Sequence, residues 1–209
     1  MPIIKESSDE LNPPRVEAEA SVAPPAERRT ALDTLALAVA TCGVGYLPLA
    51  PGTWGSVVGV ALYLLFQVGT LRVYALVEGG GGWDAASLYL LRTSLLLVII
   101  SLITLAGIWA ATRAETLMRR KDPGAVVIDE VAGQMIAYTF VPAATSLGII
   151  IVGFILFRLF DIWKPYPIRR MEALESGLGI MGDDVLAGIY AAIVLSLIWL
   201  AVTLAGLHL

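Results

Sequence analysis

The stretch SLLLVIISLITLAGIWAA, residues 94–111, runs for eighteen positions without a charged side chain. It belongs to an apolar run over residues 87–112, and similar runs cover residues 54–77, 143–163 and 185–207. A helix needs about 20 apolar residues to cross a bilayer. The whole chain is 57% hydrophobic with a mean hydropathy of +0.79. The sequence therefore predicts an all-α, polytopic membrane protein with about four spanning helices.

Two shorter segments have a less obvious relation to the membrane. Residues 31–44 are apolar, with Asp33 near the start, but this helix is too short to span a bilayer untilted. Residues 125–141 are only moderately apolar and contain Asp129, Glu130 and Gln134. We interpret the first segment as an interfacial or re-entrant helix and the second as a helix packed inside the bundle. Four consecutive glycines at 79–82 predict a flexible connector.

The first thirty residues differ from the rest of the chain. They contain five of the eleven prolines and ten charged side chains, and they have no apolar run. This composition predicts a disordered tail over residues 1–30, followed by one membrane-embedded domain over 31–209. The tail is not expected to be a secretory signal, because no apolar core follows a basic start. The single cysteine, Cys42, excludes an intramolecular disulfide.

The basic residues predict how the chain is oriented in the membrane. Lysines and arginines collect in the loops 113–121 and 164–170, whereas the loop 78–86 contains none. Basic loops stay on the cytoplasmic side of a membrane. If 31–44 does not cross and 125–141 does, every basic loop falls on that side. Residues 45–56, the start of 125–141, the end of 143–163 and the start of the last helix then share the same face.

Five acidic residues lie inside or at the ends of the apolar segments: Asp129, Glu130, Asp161, Asp183 and Asp184. A carboxylate at the centre of a membrane helix costs roughly 2.5–3.5 kcal/mol, so five of them require a common reason. The simplest reason is a divalent cation held by these acids, because hard cations take oxygen ligands.

Two of these acids are adjacent in DPGAVVIDEVAG, residues 122–133. We expect Asp122 to cap a helix that begins at the following proline, a residue favoured in the first turn. On that helix Asp129 and Glu130 point about 100° apart, so both reach a metal, or one binds it while the other orients it. The alternative is a carboxylate pair at the water interface that pairs with an arginine of the preceding loop. Gly133 is expected to permit close approach of a neighbouring helix.

The segment GVGYLPLAPGTWGS, residues 43–56, predicts a tight turn that leads into a helix. We expect Thr53 to be the N-cap of that helix. Backbone N–H groups at a helix N-terminus bind anions, so Gly52 and Thr53 are candidates for binding a phosphate. The alternative is an ordinary loop between two membrane helices.

Basic and acidic side chains alternate in FRLFDIWKPYPIR, residues 157–169. Arg158 and Asp161 are three positions apart and share a helix face. They form either a local ion pair, with Lys164 reaching toward the interface, or a site in which Asp161 binds a metal and Arg158 grips a phosphate. Lys164 precedes a proline, which predicts an extended segment that holds its ammonium group near one position.

The segment GLGIMGDDVLAG, residues 177–188, predicts a glycine-rich loop followed by two aspartates at the start of the last helix. The helix dipole favours an acid at this end by about 0.3–1 kcal/mol, which explains one aspartate. Two aspartates, Asp183 and Asp184, beside a glycine-rich loop that faces the other acids indicate a functional site.

Four of these stretches together resemble the phosphatidylglycerophosphatase A family. They are LPLAPGTWGS at 47–56, IDEVAGQM at 128–135, FRLFDIWKPYPIR at 157–169 and GLGIMGDDVLAG at 177–188, in the family's order and spacing. The resemblance covers about residues 31–207 and leaves out the tail. It departs from the family's pattern at Ser176, where a glycine is expected.

The resemblance implies a magnesium-dependent lipid phosphatase of the bacterial inner membrane, with its active site facing the cytoplasm. Its substrate would be the phospholipid phosphatidylglycerophosphate, and its products phosphatidylglycerol and phosphate. The five acids match the family's acidic positions, and Arg158 and Lys164 match its basic ones. Direct attack by water and attack by an aspartate through a phosphoenzyme are both compatible with the sequence, which also leaves the number of metal ions and the oligomeric state open.

Two other functional classes place acids inside membranes. A CDP-alcohol phosphatidyltransferase carries the pattern Asp-x-x-Asp-Gly-x-x-Ala-Arg, which this sequence lacks. A cation transporter is expected to hold its acids near mid-membrane, with access from both faces. Here the acids cluster toward one face, and Arg158 and Lys164 oppose the passage of a cation. No basic patch of the kind that binds nucleic acid is present, and His208 is expected to be incidental.

Overall fold

A computed structural model describes residues 29–78, 84–142 and 146–206, and within these ranges all regular structure is helical. The helices are α1 Ala31–Thr41, α2 Pro51–Glu78, α3 Ala85–Met118, α4 Ile128–Ala137, α5 Leu147–Trp163, α6 Ile168–Met171 and α7 Ser176–Leu204. The predicted all-α class is confirmed. Most of the predicted tail, the glycine connector and His208 lie outside the described residues.

Three of these helices, α2, α3 and α7, are long and apolar enough to cross a membrane. Helix α5 has 17 residues, which is the lower limit for a spanning helix, and residues 143–145 of its predicted run lie outside the described part. Large apolar side chains point away from the bundle, for example Leu65, Leu90 and Leu105, which are 68%, 64% and 65% exposed. Such a surface suits lipid and not water. The chain is a membrane protein with about four spans.

Helix α4 lies in the centre of the bundle, as the sequence predicted for residues 125–141. Eight of its ten residues are buried, and it packs against α2, α3, α5 and α7. At 1.5 Å per residue it is about 15 Å long. The turns that follow it extend this path to Pro142, whose carbonyl accepts a hydrogen bond from Gln67 in the far half of α2. Residues 128–142 therefore reach across most of the bundle.

Helix α1 packs along the end of the bundle and does not cross it. Its eleven residues span about 16 Å. Near its start, Asp33 forms an ion pair with Arg113 at 2.7 Å. At its end, the carbonyl of Ala40 accepts a hydrogen bond from the backbone N–H of Val127. Both contacts lie where α3 ends and α4 begins, which agrees with an interfacial helix.

Glycines bring α4 and α7 into backbone contact. A Cβ added to Gly188 would collide with the backbone of Gly133, and a Cβ on Gly133 would lie 2.6 Å from the carbonyl oxygen of Asp184. The close approach predicted at Gly133 is confirmed. This contact places the N-terminal third of α7 directly beside the acids of α4.

The α4–α7 contact supplies a test of stability. We expect Gly188→Ala to lower the free energy of unfolding by about 1–3 kcal/mol, because the added methyl group meets backbone that has no room to move. The matched control is Gly69→Ala in α2, where a Cβ meets nothing within 4 Å and helix propensity favours alanine. Thermal unfolding in detergent measures both variants. Equal melting temperatures for Gly188→Ala and Gly69→Ala would contradict the close packing.

The last helix begins earlier than the sequence predicted. Helix α7 starts at Ser176, so Gly177 and Gly179 lie inside it and not in a loop. They serve as contact points, since a Cβ on Gly177 would collide with the carbonyl of Ile108 and one on Gly179 with that of Leu174. Asp183 and Asp184 are therefore the eighth and ninth residues of the helix. The dipole at its N-terminus is too distant to explain them.

Two predicted caps are also wrong. Helix α4 begins at Ile128 and not at residue 123, because the N–H of Val127 bonds to α1 and Asp122 has a left-handed backbone with φ 45°. Helix α2 begins at Pro51, so Thr53 is its third residue, and the N–H of Thr53 bonds to the carbonyl of Ala50. In both places a tertiary contact or a proline sets the helix start.

Candidate active site

All five predicted acids line one cavity of about 610 Å³ at the end of the bundle where α4 begins. The walls come from the end of α3, the loop before α4, the end of α5 and the first turns of α7. The charged residues that line it are Glu115, Lys121, Asp122, Asp129, Glu130, Asp161, Lys164, Glu172, Asp183 and Asp184. The convergence of the polar segments on one end of the bundle, which the sequence predicted, is confirmed.

Three of the five acids form a tight group. Asp129 and Glu130 of α4 and Asp184 of α7 each present an oxygen, and these oxygens lie within 4.8 Å of one another. One oxygen of each carboxylate, namely Asp129 Oδ1, Glu130 Oε2 and Asp184 Oδ2, is buried and has no hydrogen-bond donor among the described residues. Buried carboxylate oxygens without donors are costly unless a cation balances them. The donor set fits a hard divalent cation such as Mg²⁺.

The other two acids are paired with cations of the protein. Asp161 Oδ2 accepts a hydrogen bond from Arg158 Nη1 at 2.7 Å, and this ion pair lies within α5. Asp183 Oδ2 accepts one from Lys164 Nζ at 2.6 Å. The local ion pair that the sequence offered as one interpretation of Arg158 and Asp161 is therefore present. Both ion pairs border the group formed by Asp129, Glu130 and Asp184, and they place positive charge beside it.

Lys164 is held by two acids at the mouth of the cavity. Its ammonium donates to Glu172 and to Asp183, both at 2.6 Å. Burial disfavours the charged form of Lys164, but these two hydrogen bonds outweigh burial and raise its pKa above the usual range. The predicted extended backbone is wrong, since Lys164 has φ 47° and caps the end of α5 in the left-handed conformation. The acids, not a stiff backbone, hold the ammonium in place.

The turn before α2 reaches the same site through Gly52. A Cβ on Gly52 would collide with Glu130 Oε1 and would lie 3.1 Å from Arg158 Nη1. The first turn of α2 therefore touches an acid and a base of the site. The N–H of Thr53 is already bonded to the carbonyl of Ala50. Of the two predicted phosphate-binding residues in this turn, the structure brings Gly52 against the charged groups.

Sequence reasoning missed four charged residues of the cavity: Glu115, Lys121, Asp122 and Glu172. Glu172 is a partner of Lys164, and Glu115 accepts a hydrogen bond from the N–H of Asp122. No helical spacing links Lys164 with Glu172, because Lys164 follows the end of α5 and Glu172 follows the end of α6. The contact depends on the fold of the connecting segment, so the sequence held no signal for it.

Comparison with known proteins identifies the family of this chain. The family model described as phosphatidylglycerophosphatase A matches residues 37–199. The chain belongs to the phosphatidylglycerophosphatase A family. A phosphatidylglycerophosphatase A from Haemophilus influenzae is 36% identical over 171 residues, which cover 81% of this chain and 91% of the relative. One from Escherichia coli is 29% identical over 151 residues, covering 72% and 74%.

A further relative carries a different substrate in its name. A Bacteroides thetaiotaomicron protein, provisionally named a phosphatidylinositol-3-phosphatase, is 38% identical over 159 residues, covering 74% of this chain and 86% of the relative. No solved structure matches the chain significantly. All three relatives are named as phosphatases of a phosphorylated phospholipid. Their names differ in the head group of that lipid, so the identity of the head group is what an assay has to test.

Proposed function

We propose that this chain is a phosphatidylglycerophosphatase, which hydrolyses the terminal phosphate of phosphatidylglycerophosphate in phospholipid synthesis. The observation that carries the proposal is the group formed by Asp129, Glu130 and Asp184, each with one buried oxygen that has no donor among the described residues. The cations Arg158 and Lys164 border this group. Family membership supports the same activity. Phosphoryl transfer depends mainly on charge neutralisation and positioning, and this cavity supplies both signs of charge.

Each part of the cavity has a role in this proposal. Asp129, Glu130 and Asp184 would hold Mg²⁺, which supplies neutralisation of the phosphate oxygens. Arg158 and Lys164 bind the remaining phosphate charge. Arg158 uses the N–H groups that do not bond to Asp161, and Lys164 turns from Glu172 while it keeps its bond to Asp183. Asp161 and Asp183 orient these two cations. Gly52 lets Glu130 and Arg158 lie against the backbone of the first turn of α2, because a Cβ there would collide with Glu130 Oε1.

The position of the cavity fits a lipid substrate. The charged groups begin where the uncharged stretches end: Asp184 directly precedes twenty uncharged residues of α7, and Arg113 directly follows twenty in α3. The phosphate therefore reacts at the depth of the lipid head groups while the acyl chains stay in the bilayer. The basic loops 113–121 and 164–170 at this end support a cytoplasmic orientation of the cavity, and the bacterial relatives support a position in the inner membrane.

The test is phosphate release by the detergent-purified full chain, with Mg²⁺ and with EDTA. The substrates are phosphatidylglycerophosphate and phosphatidylinositol 3-phosphate, presented in the same mixed micelles. We expect release from phosphatidylglycerophosphate that needs Mg²⁺ and that exceeds release from the inositol lipid. The control enzyme is Asp84→Asn, which changes a carboxylate at the opposite end of the bundle and keeps a good N-cap.

Other outcomes would redirect the assignment. Preference for phosphatidylinositol 3-phosphate would replace the substrate while keeping the phosphatase chemistry. Equal release in EDTA would remove the cation from the proposal. Absence of release from both lipids, together with cation flux in liposomes, would favour a transporter.

A further inference from the structure

A second charged position lies far from the cavity, in the first third of α3. Arg92 is 1% exposed, although its helix is one of those that cross the membrane. It forms no ion pair with an acid of the described residues. A buried guanidinium inside a membrane protein is costly and in general marks a functional site. The proposed phosphatase activity gives it no role.

The partners of Arg92 satisfy only part of its guanidinium. Nε and Nη2 donate to Gln67 Oε1 at 3.2 and 3.1 Å, and Nη2 also donates to the hydroxyl of Tyr63 at 3.0 Å. The rings of Tyr63 and Phe66 lie 5.9 and 5.8 Å from its Cζ. Nη1 is buried and has no acceptor in the described part of the chain. Two charged N–H groups therefore lack the acceptor that burial demands.

Arg92 also lines a groove of about 250 Å³ between α2 and α3. The other walls are apolar and include Phe66, Gly69, Val73 and Leu95. A groove of this volume accommodates part of an acyl chain and not a whole phospholipid. The groove therefore offers apolar walls and the guanidinium of Arg92. An anionic lipid matches both, because it carries a negative head group and an apolar chain.

The depth of Arg92 matches the head groups of the leaflet opposite the cavity. Twenty uncharged residues separate it from Arg113, which marks the cavity end of α3. Twenty-one steps of 1.5 Å give about 31 Å, close to the hydrocarbon thickness of about 30 Å. On α2, Arg92 is level with its partner Gln67, and Arg72 follows five residues further from the cavity.

From these observations we infer that the groove between α2 and α3 binds one anionic phospholipid of the opposite leaflet. The phosphate of this lipid accepts hydrogen bonds from Arg92 Nη1, its head group lies along Gly69 and Val73, and one acyl chain runs past Phe66 and Leu95 toward the middle of the bilayer. A zwitterionic lipid fits less well, because its ammonium group meets an arginine with no acid beside it. The bound lipid is not a substrate, since the acids of the cavity are a membrane thickness away.

Native mass spectrometry of the full chain in detergent tests this inference. The probes are 1-palmitoyl-2-oleoyl-phosphatidylglycerol and the matching phosphatidylcholine. Arg92→Gln removes the charge, and Gly69→Leu fills the groove while Arg92 stays in place. A Cβ at residue 69 meets nothing within 4 Å, so this variant is expected to fold even if Arg92→Gln does not. The matched control is Arg72→Gln, which removes an exposed arginine of the same end.

We expect the wild type and Arg72→Gln to retain phosphatidylglycerol in preference to phosphatidylcholine. Each groove variant should weaken that retention about 10-fold, the loss expected for one charge-assisted hydrogen-bonded contact. Lipid held in the cavity is common to all variants and cancels in the comparison. Unchanged retention in Gly69→Leu, equal retention of phosphatidylcholine by the wild type, or an equal loss in Arg72→Gln would each overturn the inference.

Discussion

Replacing Asp184 with asparagine is expected to lower kcat/KM for phosphatidylglycerophosphate by more than about 100-fold, beyond the 10–100-fold typical of residues around a metal ligand. The amide keeps the shape of the side chain but removes the charge. Asp184 contributes one of three buried carboxylate oxygens without a hydrogen-bond donor among the described residues. Asp129→Asn and Glu130→Gln are expected to act in the same direction, since the three acids share one site.

Melting temperature separates a cation-binding role from a purely structural one. Without metal, three buried carboxylates repel one another, so Asp184→Asn should melt at a higher temperature than the wild type in EDTA. With Mg²⁺ the order should reverse, because only a protein that binds the ion is stabilised by it. The control Asp84→Asn should follow the wild type in both buffers. The same Mg²⁺-dependent rise in Asp184→Asn as in the wild type would contradict the assignment.

Lys164→Gln is expected to lower kcat/KM by about 10²–10³-fold, the cost of removing one donor that stabilises charge in a transition state. Lys164 is the cation at the mouth of the cavity and is held by Glu172 and Asp183. A phosphate that enters takes the place of Glu172, the more exposed partner, while Asp183 keeps the ammonium in position. The matched control is Arg169→Gln, which removes an exposed cation five residues further along the chain.

The loss in Lys164→Gln has a structural component that a second variant isolates. Asp183 is left buried without its cation, which destabilises the fold. The double variant Lys164→Gln/Asp183→Asn removes that unpaired charge, so its melting temperature should recover toward the wild type while its activity stays low. Recovery of activity together with stability would mean that Lys164 only supports the fold.

The membrane character of the chain was predictable from composition. The uncharged stretches of α2, α3 and α7 are local properties of the sequence, and hydrophobic burial in a bilayer adds up residue by residue. The positions of the basic loops were predictable for a similar reason. The free-energy cost of a lysine or arginine in the hydrocarbon is high wherever that residue lies in the fold. The short apolar segments 31–44 and 125–141 were identified for the same reason. Their lengths are insufficient for ordinary spans.

Helix starts were the least predictable feature. Gly177 and Gly179 have low helix propensity and suggested a loop, yet both lie in α7, because glycine there allows contact with Ile108 and Leu174. Asp122 was predicted to be a helix cap. The helix instead begins at Ile128, because the N–H of Val127 donates to the carbonyl of Ala40 and not to a carbonyl of its own segment. In each case a contact with a segment distant in sequence outweighed the local preference.

The sequence alone identified the five acids, the two cations and the family pattern that contains them, because each is readable as a residue type in an unfavourable apolar setting. Only the tertiary structure divided the acids into two kinds. The contact of Gly133 with Gly188 brings Asp184 of α7 to Asp129 and Glu130 of α4. Each of these three acids keeps one oxygen without a donor in the described part of the chain. Asp161 and Asp183 instead meet Arg158 and Lys164. This difference between the acids arises from the packing of helices that lie more than fifty residues apart in the sequence. Coulomb interactions depend on the distances that such packing sets.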